Sequence, residues 1–228
     1  MYFWKCWRDT RGFFITFLII AAAAIPVTAV VCRGTGLMRD FGADAVKSTF
    51  GLLITIIALG LGAIGAVHEF SDRVVHFLFT KPRGRAYFVW AGWVIGSLEV
   101  LAIALVNVVA GSVTLALYSK GHFWSNFFHT LREFNFINIL LYGLVYYGLT
   151  YSLTAMLRSG LKGLAASMGI MTGFWNFVAA LHKLWKIEIP VPADRIGQLP
   201  MAISNIIWVV VALLLVVGAQ VVVERAEL

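Results

Sequence analysis

The stretch YFVWAGWVIGSLEVLAIALVNVVAGSVTLALY, Tyr87 to Tyr118, carries one charged side chain, Glu99. A helix needs about 20 largely apolar residues to cross a bilayer. This run exceeds that length, so it spans with tilt or extends past the hydrocarbon. It is continuous where a barrel strand would alternate apolar and polar residues, which argues against a transmembrane β-barrel. Five further blocks of the same kind flank it: Phe13 to Cys32, Thr49 to Val67, Phe136 to Met156, Gly163 to Leu181 and Ala202 to Val223. Across the 228 residues, 61% are hydrophobic and 13% charged, against about 45–50% and 25% in soluble domains. A soluble globule is excluded, as are disordered and fibrous chains, whose polar excess or Gly-X-Y period is missing. The expected fold is an all-α membrane protein: six transmembrane helices forming a single transmembrane domain over residues 1–228, with no soluble domain between spans.

The first block follows Lys5, Arg8 and Arg11 but is too long for a signal-peptide core, and so reads as a retained helix. An even number of spans puts both termini on one side. The basic start and the dense run Lys81, Arg83, Arg85 assign that side to the cytoplasm. The net charge of +7 is spread over loops where membrane lipid headgroups are a sufficient partner, and nucleic acid is not expected. Cys6 and Cys32 bracket the first span, too far apart for a disulfide within one chain.

The ends and loops carry their own patterns. Phe3, Trp4, Trp7 and Phe14 recur at near-helical spacing opposite Lys5, Arg8 and Asp9, which predicts an N-terminal interfacial helix. Phe123, Trp124, Phe127, Phe128 and Leu131 predict a short outer interfacial or re-entrant segment. His182 to Pro200, with three prolines, predicts an ordered outer loop.

The most informative loop is HEFSDRVVHFLFTKPRGRAYF, His68 to Phe88. Ser71 can cap a short helix through Val74, Val75, Phe77 and Leu78, which Pro82 and Gly84 terminate. Its apolar face lies amid Glu69, Asp72, Arg73, Lys81, Arg83 and Arg85, a composition shared by a bland interfacial loop and a docking element for a soluble partner. Here the chain resembles the type-2 ABC transporter permeases, the membrane subunits of ATP-driven exporters. In that family an acidic residue, a short apolar helix and Pro-x-x-Arg lead into an aromatic start of span three. Glu69 matches the acid, Val74 to Phe79 the helix, Pro82 and Arg85 the Pro-x-x-Arg, and Tyr87 and Phe88 the entry. Asp72-Arg73-Val74 and Trp90 stand where the family often has Gly-Thr and a Lys.

The resemblance implies a permease domain in a prokaryotic inner (plasma) membrane, paired with a second permease copy as a homodimer. Two ABC ATPase subunits would bind beneath, with Glu69, Arg73, Val74, Phe77, Leu78, Pro82 and Arg85 forming the docking loop. No GxxxxGK[ST] phosphate loop is present, so no cofactor and no catalytic site of its own are expected in this chain. ATP and Mg would reside on the partner ATPase.

Other constellations compete with this reading. His68, Asp72 and His76 share a helix face beside Glu69, partly matching the HExxH of zinc proteases, but the second histidine of that motif is Asp72, and no metal site is expected. Gly60, Gly62 and Gly65 match GxGxxG inside span two with no strand before it, so they are read as small residues that admit a neighbouring helix. Gly92/Gly96 and Gly169/Gly173 have GxxxG spacing and invite the same reading, including a dimer seam. Glu99, with Asn107 two turns on, is the only acid deep in a span. Its carboxylate is costly to leave ionised in hydrocarbon and is expected to be neutral, paired or lining a polar cavity that binds substrate. Asn138, Asn176 and Gln220 read as interhelical hydrogen-bonding residues; His122, His129 and His182 as outer-surface histidines. The leading expectation is an exporter permease. The alternatives are an ion-coupled secondary transporter using Glu99 and a membrane metalloprotease using His68, Glu69, Asp72 and His76. Nothing in the residues selects a substrate.

Overall fold

A computed structural model of the chain describes residues 2–34, 43–70, 85–118, 123–125, 127–128, 136–185 and 201–225. Apart from a turn at 158–159 these residues are helical, with no strand among them. Six long helices follow in order: α1 (Tyr2–Gly34), α2 (Ala43–Phe70), α3 (Arg85–Tyr118), α4 (Phe136–Leu157), α5 (Gly160–Trp185) and α6 (Met201–Arg225). Every apolar block of the sequence lies within one of them. Hydrocarbon offers no water to backbone N–H and C=O groups, and a continuous apolar run meets that demand by bonding internally as a helix. Among the described residues, Cys6–Val31, Thr49–Val67 and Tyr87–Leu117 are long and apolar enough to cross a membrane. This is an integral membrane protein.

The body is organised around α4, which packs against α2, α3, α5 and α6, while α1 lies on α3 and α2. Only 17% of the apolar stretch of α1 is buried, against 50% for α2 and for α3, which makes α1 a peripheral helix. Tyr147 and Tyr151 of α4 are fully buried and stack with ring centroids 5.7 Å apart. Their hydroxyls donate to the carbonyls of Gly92 and Val89 of α3, each at 3.1 Å, so each tyrosine places its polar tip on a partner within an apolar core. The Tyr147 hydroxyl occupies the space that a side chain at Gly96 would fill. On the other side of α4, a Cβ at Gly62 would lie 2.9 Å from the Tyr147 carbonyl oxygen and 3.0 Å from the Tyr151 nitrogen. Here α2 meets the α4 backbone directly, so Gly62 belongs to a helix contact, as expected of a span glycine.

The corner between α4 and α5 is built by Arg158, at φ 51°, and by Ser159, whose carbonyl accepts the Gly163 N–H at 2.9 Å. A left-handed residue directly after a helix is a standard stop; here it turns the chain back within two residues.

Two expectations change. The interfacial pattern at the N-terminus is not a separate element, because Tyr2–Gly34 is one continuous helix; it buries Cys6 and Thr10 and exposes Trp4. The loop expected from His182 begins later, since α5 continues through Trp185. In the outer segment, residues 123–125 and 127–128 are helical. Phe123 stacks on Phe127 and Trp124 on Phe128, with Trp124 and Phe128 exposed.

Candidate functional site

Glu99 lies near the middle of α3, about 21 Å along the axis from Arg85. It is 3% exposed. Its partner comes from α1, where Cys6 and Thr10, one turn apart, form the inward stripe at the start of the helix. The Thr10 Oγ1 lies 2.5 Å from Glu99 Oε1, 3.1 Å from the Cys6 carbonyl oxygen and 3.5 Å from that of Trp7. The other carboxyl oxygen, Oε2, is buried and has no hydrogen-bond partner among the described residues. No cation stands within ion-pair distance of Glu99 among those residues; the nearby Arg8 pairs at 3.6 Å with Asp9, at the surface.

Asn107 sits about 12 Å further along α3. It is fully buried, and neither its amide nitrogen nor its oxygen has a partner among the described residues. Ser97 and Ser112 of α3 also have unpartnered buried hydroxyls, as do Thr150, Ser152 and Thr154 of α4. An unsatisfied buried polar group costs about 1–3 kcal/mol, so this polar content within α3 and α4 is an expense that packing alone does not explain. The groups bring oxygen acceptors and hydroxyl or amide donors into an apolar body, chemistry suited to water, protons or a small polar solute. No cluster of metal-ligating side chains occurs among the described residues.

Of the residues singled out in the sequence, Glu99 and Asn107 are both buried on α3, but they are not in contact through any hydrogen bond. Glu69 falls in the last turn of α2, and Arg85 is the first residue of α3. Arg73, Val74, Phe77, Leu78 and Pro82 lie outside the described residues, as do Asp72 and His76. Gln220 does bond between helices: it accepts from Trp90 Nε1 at 2.8 Å and donates to Glu224 at 3.0 Å. Asn176 is exposed, and the Asn138 side chain lies outside the description. The residue that sequence reasoning missed is Thr10. Its only signal was its spacing of four from Cys6 on a helix whose other face carries Arg8 and Arg11.

Compared with known proteins, the chain matches no family model, and no curated protein or solved structure is similar to it.

Proposed function

We propose that this chain is the membrane-spanning permease subunit of an ATP-driven exporter, with all six helices crossing the bilayer and both termini in the cytoplasm. The observation that carries the reading is the segment joining α2 to α3. The acid Glu69 closes one apolar helix, Arg85 opens the next, and Val74 to Phe79 followed by Pro82 lies between them, in the order of a permease docking loop. The absence of a phosphate loop from the sequence fits a protein that borrows hydrolysis from a separate ATPase. A second copy of the chain would complete the pathway. The buried polar groups of α3, Glu99 and Asn107 first, supply polar chemistry inside an otherwise apolar body.

In this mechanism ATP and Mg sit on the partner. Closure of the two ATPases moves the docking segments, and rigid helices transmit that displacement to the seam between the permeases. The test is association: the tagged chain should co-purify a separate ATPase subunit from its native membrane. Replacing Phe77→Asp and Leu78→Asp together should remove the ATPase while leaving the chain in the membrane. Undiminished co-purification by the double variant would sink the docking assignment.

A further inference from the structure

We infer that Glu99 is a reversible proton-binding site, held as a carboxylic acid that donates to Thr10 Oγ1 and so clasps α1 to α3. The inference does not depend on the exporter reading. It starts from counting protons. A threonine hydroxyl has one hydrogen to donate and lone pairs to accept with. Thr10 Oγ1 lies within hydrogen-bond reach of both Glu99 Oε1, at 2.5 Å, and the Cys6 carbonyl, at 3.1 Å. If Glu99 were a carboxylate, the hydroxyl would spend its hydrogen on Oε1, and a full negative charge would remain with Oε2 unpartnered in a site only 3% exposed. Burying an uncompensated charge costs several kcal/mol. If Glu99 carries the proton, it donates to Thr10 Oγ1, Thr10 donates onward to the Cys6 carbonyl, and no charge is buried.

Among the described side chains, none supplies a substitute for the proton. On α1 the titratable groups near Thr10 whose side chains are described are Cys6, which is buried, and Arg8, Asp9 and Arg11; Arg8 and Asp9 pair with each other at the surface, and Arg11 is exposed, while the Lys5 side chain lies outside the description. Along its apolar stretch Thr49–Val67, α2 has no titratable side chain, and Asp44, Lys47, His68 and Glu69 at its two ends have side chains outside the description. On α4 the titratable groups are tyrosines, and the nearest, Tyr147, spends its hydroxyl on Gly92. On α6 they are Glu224 and Arg225, which are exposed at its C-terminal end, where Glu224 accepts from Gln220 and Gln220 in turn accepts from Trp90 of α3. The same charged turn gives the proton a route. Arg8, Asp9 and Arg11 require water or headgroups beside them, so the turn of α1 that holds Thr10 borders a hydrated layer with which Glu99 exchanges its proton. Release converts the acid to a carboxylate and a proton passed to that water, and uptake is the reverse.

The experiment is infrared difference spectroscopy on the full chain reconstituted in phosphatidylcholine–phosphatidylglycerol vesicles. The parent should show a carboxylic acid carbonyl band that is lost on alkaline titration and is missing from Glu99→Gln. Thr10→Val, which leaves Glu99 in place, should shift that band by removing its acceptor, and Thr10→Ser should restore it. Parent and Glu99→Gln spectra that coincide at every pH would overturn the inference, as would a band that Thr10→Val leaves unmoved. Should Glu99→Gln not fold, the Thr10 pair decides alone.

Discussion

At Gly62 the second and fourth helices touch backbone to backbone, and the missing side chain is what permits it. A Cβ there would also lie 2.9 Å from Thr150 Cβ, and none of these neighbours is the movable end of a flexible chain. Gly62→Val should therefore destabilise the protein by about 1–3 kcal/mol, the usual cost of overpacking, read as a lowered thermal midpoint in detergent. Gly169 of α5 is the opposite case, since a Cβ there would meet nothing within 4 Å. Gly169→Ala should raise the monomer's stability by about 0.5–1 kcal/mol through helix propensity. Equal responses at the two positions would contradict the packing described for α2. Glu99 was legible for a related reason: one acid in a long apolar run stands out by cost alone. Thr10 was not legible, because no spacing rule joins positions 10 and 99; only the folded chain brings them together.

Among the elements, the helices were readable because each apolar block is long and unbroken, and the boundaries failed where one pattern served two structures. The spacing of Trp4, Trp7 and Phe14 suits a helix lying on an interface. In the continuous α1 the pattern is divided: Trp4 is exposed, Trp7 is half-buried, and Phe14, one turn from the inward Thr10, packs against the core. The prolines from Pro190 onward suggested an early end to α5, yet nothing before them breaks the helix, which reaches Trp185. The α4–α5 corner falls in the gap between the blocks ending at Met156 and starting at Gly163, but its geometry was not legible, since its left-handed residue is an arginine instead of the usual glycine. A β-branched side chain is poorly tolerated at φ 51°. Arg158→Ile should cost about 1–2 kcal/mol of stability, whereas Arg158→Asn should cost less, because asparagine visits this region readily. The comparison of their thermal midpoints checks it, and an unperturbed Arg158→Ile would remove the corner from the account of how α5 is set.

For the whole molecule, the decisive quantity is which side each loop faces. The apolar stretch Tyr87–Leu117 is long enough to cross the bilayer, and under the proposed topology Gly84 before it and Ser125 after it are expected on opposite sides. The orientation proposed above rests on charge. Lys81, Arg83 and Arg85 crowd the approach to α3, and such a cluster beside an apolar span is retained in the cytoplasm. If all six helices alternate across the bilayer as proposed, the same choice would place the basic N-terminus and Arg225 inside. Single cysteines introduced as Gly84→Cys and Ser125→Cys, with Cys6 and Cys32 replaced by alanine, should therefore respond differently to an impermeant thiol reagent. In intact cells Ser125→Cys should label and Gly84→Cys should not, and in inverted membrane vesicles the pattern should reverse. Labelling of Gly84→Cys alone in intact cells would keep α3 as a span but invert the protein, and with it the side from which an ATPase could dock. Labelling of both from one side would mean that α3 does not cross.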